Sequence, residues 1–213
     1  MYKRINFEQF TELDPKWVRS QISSFIKEDT PYGDLTTDSI TFKNKPVIAN
    51  MVAMEPFIFC GESYIPFSFP DGCKATVLSR DGFKVNAGDS IAEIIGPANR
   101  ILTFERVILN LVQRLCGIST ETHNYCMLDL PNDFKVMDTR KTTPGLRLFE
   151  KHAVSVGGGW NHRLNLSSAI LIKDNHLEAA GSISNAISMI KKKVVKGIPI
   201  ELEVDTIDQL KEG

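Results

Sequence analysis

Ala169-Ile170-Leu171-Ile172-Lys173-Asp174-Asn175-His176 is the stretch on which the architecture turns. Its short apolar run reads as a buried strand that ends in a polar cluster. Beyond Gly181, residues Ile183, Ala186, Ile187 and Ile190 fall in phase for a helix, and Ile198 to Asp205 reads as a further strand. On the other side, Phe134-Lys135-Val136-Met137 reads as a strand, followed by a helix from about Leu146 to Val156 that stops at Gly157-Gly158-Gly159. Two strand-helix units and the start of a third imply a parallel α/β architecture, in which right-handed crossovers bring the strand C-termini to one face.

Upstream the pattern differs. Val18, Ile22, Phe25 and Ile26 predict an amphipathic helix after Pro15, and Leu35-Thr36-Thr37 reads as an ordered polar connection. Pro46 to Gly96 is a β-rich layer with runs at Val47–Ala53, Phe57–Cys60, Ala75–Leu78 and Ile91–Ile95. Asn99 is placed to cap a long helix from about Arg100 to Ile118, so apolar around its circumference that it must be buried on several sides. Arg106, Asn110, Gln113 and Arg114 form one polar stripe on it, either a solvated face or a subunit interface or site.

Composition narrows the function classes. The 213 residues carry 25 Lys and Arg against 26 Asp and Glu, a net charge of -1, so neither nucleic acid nor an anionic membrane is expected as partner. Residues 1–9 contain no unbroken apolar run, and no stretch approaches the roughly 18 to 20 apolar residues of a membrane span, which makes the cytoplasm the expected location. Cys60, Cys73, Cys116 and Cys126 are scattered without a Cys-x-x-Cys pair and read as reduced thiols. His123 and Cys126 could be half of a metal site, but no second half with ligand spacing follows.

The expected strand ends carry Asp138-Thr139-Arg140-Lys141-Thr142-Thr143-Pro144-Gly145, then Lys173-Asp174-Asn175-His176, then Glu203-Val204-Asp205. In parallel barrels that rim binds substrates. The connection Gly157-Gly158-Gly159-Trp160-Asn161-His162-Arg163 adds His162 and Arg163. Arg140, Lys141, Arg163 and Lys173 in one pocket would repel each other unless a multiply anionic substrate lay among them. Bland readings exist for each part: Arg140-Lys141 as a solvated turn, the glycines as a helix stop, and Glu201, Glu203 and Asp205 as the wet face of an edge strand. Residue patterns alone reach a phosphate- or carboxylate-binding α/β enzyme.

Three linked motifs go further. Asp138 to Arg147, Gly157 to Arg163 and Ile172 to His176 closely resemble the signature of the quinolinate phosphoribosyltransferases. Tyr32-Gly33-Asp34-Leu35-Thr36-Thr37, Glu105 to Asn110 and Arg114 to Ile118 resemble the same family, with Cys116 where relatives often have Ser, so the similarity spans essentially the whole chain. The resemblance implies an N-terminal α/β sandwich that also mediates dimerisation, expected at residues 1–115. It implies a type II phosphoribosyltransferase-like α/β barrel whose first part occupies residues 116–213. The expected reaction joins quinolinate to phosphoribosyl pyrophosphate with decarboxylation, giving nicotinate mononucleotide, pyrophosphate and CO2 in NAD biosynthesis. By motif position Arg140, His162, Arg163 and Lys173 would hold the two carboxylates, with Thr139 and Lys141 in the same pocket. Arg106 would reach the pocket of a neighbouring subunit in a homodimer or an oligomer of dimers. Glu203 would lie near the ribose and the magnesium-bound pyrophosphate, touching Mg2+ indirectly. Lys141, Lys173 and Glu203 would be the residues closest to the chemistry.

Two other readings stay open on the sequence: a relative of the same fold acting on nicotinate or associated with molybdenum transport, and a catalytically incomplete chain. A closed eight-stranded barrel takes roughly 200 residues or more. The family resemblance also implies a further strand-end Asp and phosphate-binding glycine loops beyond residue 213. The expectation is therefore an incomplete barrel, with doubtful turnover by this chain alone.

Overall fold

The computed structural model describes residues 6–40, 42, 45–129, 131, 133–194 and 197–213; the first five residues of the N-terminal stretch considered above lie outside them. The chain forms two compact units, one of Gln9–Asn161 and one of His162–Gly213 with Met1–Glu8.

The larger unit begins with α1 (Pro15–Asp29), as the spacing predicts. The Asp14 carboxylate accepts the Lys16 N–H at 2.8 Å and Pro15 occupies the first turn. Val18, Ile22 and Ile26 are buried, a contribution of roughly 1.5 to 3 kcal/mol each. Leu35-Thr36-Thr37, expected as a polar connection, is instead the body of a short helix, α2 (Leu35–Asp38). Asp34 caps it by accepting the Thr37 N–H at 3.0 Å, and that bond, first among several, holds the Asp34 carboxyl below its usual range.

The β-rich layer comprises β1 (Val47–Val52), β2 (Phe57–Ile58), a helical turn α3 (Ile65–Ser68), β3 (Lys74–Val77), β4 (Lys84–Val85) and β5 (Ser90–Gly96). β5 is central in an antiparallel sheet of order β1-β5-β3, and β2 pairs with β4 separately. All four expected runs are present: β1 and β2 stop short of their expected ends, β3 is shifted one residue earlier, and β5 extends one residue beyond expectation at each end.

The long helix α4 (Ala98–Cys126) differs from expectation at both ends. Pro97, not Asn99, precedes it, and Asn99 lies in the first turn, where its carbonyl accepts the Thr103 hydroxyl at 3.0 Å. The helix also runs past Ile118, because tertiary bonds support its last turns. Ser119 Oγ donates to the Ile58 carbonyl at 2.7 Å and Thr120 Oγ1 accepts the Ile58 N–H at 2.9 Å. α4 packs against α1, β2, β5 and α5 (Arg147–Val156), so the 115/116 boundary expected from sequence falls within a continuous helix. Phe134–Met137 is not a ladder strand. It contributes one parallel bridge, Met137 to Trp160, closed by Trp160 N–H to Val136 O at 2.8 Å and Asp138 N–H to Trp160 O at 3.0 Å.

The smaller unit holds β6 (Ile170–Ile172), α6 (Asp174–Ala180), α7 (Ile183–Lys193), β7 (Ile200–Leu202) and α8 (Ile207–Glu212). β6 and β7 pair in parallel, Ile170 beside Ile200 and Ile172 beside Leu202, with the helices as crossover. This is the α/β pattern expected. α6 was not anticipated: it starts immediately after Lys173 and ends at Gly181, whose φ of 83° favours glycine. All four cysteines are free thiols, and burial pushes the Cys116 thiol up to about 12. Among the described residues no helix is long and apolar enough to cross a membrane.

Candidate active site

In the larger unit the segment 138–146 is pinned at both ends. At its start the Asp138 carboxylate receives Lys151 Nζ at 2.5 Å on Oδ1 and Asn161 Nδ2 at 2.8 Å on Oδ2. At its end Thr143 N–H donates to Glu150 Oε2 at 3.2 Å, Arg147 Nε donates to Thr142 Oγ1 at 3.0 Å, and Arg114 Nη2 reaches Thr143 Oγ1 at 2.5 Å. Arg114 also donates to Glu150 Oε1 from Nε at 2.8 Å and from Nη2 at 2.6 Å. Thr139, Arg140 and Lys141 lie between these anchors. Thr139 Oγ1 accepts the Lys141 N–H at 3.0 Å, the Lys141 side chain is exposed, and Arg140 Nε is buried without a hydrogen-bond partner among the described residues. An unsatisfied buried donor on a cation is costly in a folded protein, and an anion is the group that would satisfy it.

Arg106 is exposed and lines a groove of about 520 Å³ with Asn110, Arg114, Thr143, Phe25 and Asp29. The stripe read from the sequence thus divides by role: Arg114 braces the 138–146 segment, while Arg106 and Asn110 line open space.

In the smaller unit, parallel pairing sends Lys173 and Glu203 out of the same end of β6 and β7. Lys173 Nζ lies 3.0 Å from Glu203 Oε2, and Glu203 N–H donates to Ile172 O at 2.9 Å. His162 Nε2 lies 2.6 Å from Glu201 Oε2, and the Phe7 ring packs on the imidazole with centroids 4.5 Å apart. Arg163 is buried and donates from Nη1 to the Ala169 carbonyl at 2.8 Å, which fixes the guanidinium at the start of β6. Lys173 N–H donates to His176 Nδ1 at 2.9 Å, so His176 caps α6. The expected row of three carboxylates is therefore divided: Glu201 and Glu203 each meet a basic side chain, while Asp205 donates its backbone N–H to Gln209 Oε1 at 2.6 Å.

The family models for the N-terminal and C-terminal domains of quinolinate phosphoribosyl transferase match residues 34–116 and 118–213. The chain belongs to the quinolinate phosphoribosyl transferase family. It is 42% identical over 199 residues to the probable nicotinate-nucleotide pyrophosphorylase [carboxylating] of Bacillus subtilis, covering 92% of this chain and 68% of that protein. To the Mycobacterium leprae nicotinate-nucleotide pyrophosphorylase [carboxylating] it is 36% identical, covering 90% and 69%. The solved NadC structure from Streptococcus pyogenes superposes with a TM-score of 0.87 at 36% identity, covering 94% of this chain and 73% of that one.

In this member of the quinolinate phosphoribosyl transferase family, sequence reasoning missed the residues that brace the candidate segment 138–146. Lys151, Glu150 and Asn161 are buried polar side chains, and α5 has no exposed residue along its length. That pattern is a signal that could have been used: a ten-residue helix containing Arg147, Glu150, Lys151 and His152 between two glycine-rich loops has too many charges for a buried position unless each finds a partner.

Proposed function

We propose that this chain provides the quinolinate-binding part of an enzyme that transfers a phosphoribosyl group from phosphoribosyl pyrophosphate to quinolinate and decarboxylates the product to nicotinate mononucleotide. The reading rests on one observation above the rest. A parallel strand pair presents Lys173 and Glu203 from one end, 3.0 Å apart, in a chain that matches both domains of the family.

On this reading Arg140, His162, Arg163 and Lys173 bind the two carboxylates, and Thr139 and Lys141 complete the pocket. Without substrate, Lys173 is neutralised by Glu203. An arriving carboxylate replaces Glu203 as the partner of Lys173 and frees Glu203 to face the ribose. The pyridine nitrogen then displaces pyrophosphate at the anomeric carbon, and Glu203 stabilises positive charge developing on the sugar. Once alkylated, the ring nitrogen is positively charged, so the adjacent carboxylate leaves as CO2, the electron pair stays on the ring carbon as an ylide and then takes a proton from water, while the cations orient the remaining carboxylate.

Mg2+ is a hard ion that takes substrate phosphate oxygens, waters and one or two carboxylates. Exposed Glu203, at a strand end, fits as one such carboxylate, close to or through water. Bound with pyrophosphate, the ion would supply charge neutralisation for the leaving group. The functional unit in this reading is a homodimer, or an oligomer of dimers, in which Arg106 serves the partner's pocket. Its proposed location is the cytoplasm.

The test is calorimetric. Quinolinate is expected to bind more tightly than nicotinate by about 1.5 to 3 kcal/mol, the worth of one charge-assisted carboxylate contact. Equal affinities would remove the dicarboxylate assignment.

A further inference from the structure

We propose that Cys60, Asp81 and His152 form a binding site for a divalent transition-metal ion of the zinc class, separate from the substrate-binding residues and from any magnesium carried by phosphoribosyl pyrophosphate. The three residues come from the segment just after β2, the loop before β4 and the middle of α5. One ligand atom from each lies within 4.8 Å of the others.

His152 supplies the strongest part of the argument. The side chain is fully buried, and Nδ1 lies 3.0 Å from the Phe10 carbonyl, so Nδ1 carries the hydrogen and Nε2 presents its lone pair. Nε2 has no hydrogen-bond partner among the described residues. It sits 3.6 Å from Asp81 Oδ2, longer than a hydrogen bond. Two ligands at about 2.0 to 2.2 Å from a tetrahedral zinc ion are separated by roughly 3.3 to 3.6 Å. An imidazole nitrogen aimed at a carboxylate across that gap has the spacing of two metal ligands.

The surrounding contacts orient the other donors. Asp81 Oδ1 accepts N–H bonds from Gly61 at 2.6 Å and Glu62 at 3.0 Å, which leaves Oδ2 for the ion. Phe59 N–H to Phe83 O and Gly82 N–H to Phe59 O, each 2.9 Å, hold the Asp81 loop beside Cys60. A buried thiolate selects the zinc class over hard cations such as magnesium. Binding transfers the Cys60 thiol proton to solvent, and the resulting thiolate and the Asp81 carboxylate balance the two charges of the ion. Asp81, the only one of the three with exposed surface, marks the entry side and the place for a water as fourth ligand. The ion would tie α5 to the β2–β4 pair.

The test uses the purified chain, tag removed and stripped with chelator, titrated with Co2+. The expected result is a near-ultraviolet thiolate-to-cobalt charge-transfer band with tetrahedral visible bands, abolished by Zn2+ and unaffected by excess Mg2+. Cys60→Ala should lose the charge-transfer band. Asp81→Asn keeps Oδ1 as acceptor and lies at the rim, so it tests the site in a folded protein even if the core variant fails to fold; it should weaken Co2+ binding by about tenfold or more. No charge-transfer band in the wild type overturns the proposal. So does a band that persists with unchanged affinity in Asp81→Asn, which would assign the metal to another thiol.

Discussion

Lys151 has no exposed side-chain surface, yet its ammonium group lies in the core against Asp138, which is 7% exposed. Burial pulls the Lys151 pKa down, the Asp138 bond opposes this, and the charges of Arg147 and Arg140 add to the lowering. The pair carries structural meaning because Asp138 begins the segment with Thr139, Arg140 and Lys141, and shares its other oxygen with Asn161, the residue before His162. Lys151→Met leaves that carboxylate without its cation, a loss of about 3 to 5 kcal/mol in urea unfolding. Its pH signature has a definite sign. With a folded pKa below the unfolded 10.5, the burial cost is fully present below the folded value. The cost is relieved as pH rises through that value toward 10.5, because the unfolded chain then binds more protons. The wild-type minus variant stability difference should therefore grow with pH across that window. A flat difference would show that Lys151 does not titrate as a buried ammonium.

Helices α4 and α5 illustrate why elements were legible and their joints were not. Apolar spacing located α1, α4, α5 and α7, since burial of one face is written in the period of the sequence. The extension of α4 to Cys126 was not legible, because it depends on Ser119 and Thr120 meeting Ile58, some sixty residues earlier in the chain. Phe134–Met137 has the composition of a strand but only Trp160 as ladder partner, and partner availability is a tertiary fact. The α4–α5 joint is tight at Gly157. A Cβ there would collide with the Ser119 carbonyl and lie 3.1 Å from Ser119 Cα, backbone that cannot easily yield, and 2.7 Å from Thr122 Cβ, which moves only with its own backbone. Gly157→Ala is expected to cost about 1 to 3 kcal/mol through overpacking. Thermal unfolding would check this, and a variant as stable as the wild type would mean the two helices can separate locally.

At the scale of the whole molecule, the residues proposed for the site could be named from the sequence because the motifs carry them in unbroken runs. The supports were not, since Arg114, Glu150 and Asn161 act over separations that no local pattern encodes. The groove around Arg106 belongs to this scale as well. If Arg106 serves a partner's pocket, mixing Arg106→Ala with Lys173→Ala subunits creates hybrids in which one site receives both wild-type residues. Random exchange should then restore about a quarter of the quinolinate sites, counted by calorimetry. No recovery after demonstrated exchange would place Arg106 in its own subunit's site. Asn161 has a different kind of reach. It is fully buried, its Oδ1 accepts the Phe10 N–H at 2.7 Å and its own N–H donates to Gln9 Oε1 at 2.8 Å, bridging more than 150 residues. A ribosome making this chain releases Gln9 and Phe10 first and Asn161 only after all of α1 to α5. Until then Phe10 N–H and Gln9 lack these partners, so the N-terminal segment of the larger unit can complete its closure only after Asn161 has left the exit tunnel.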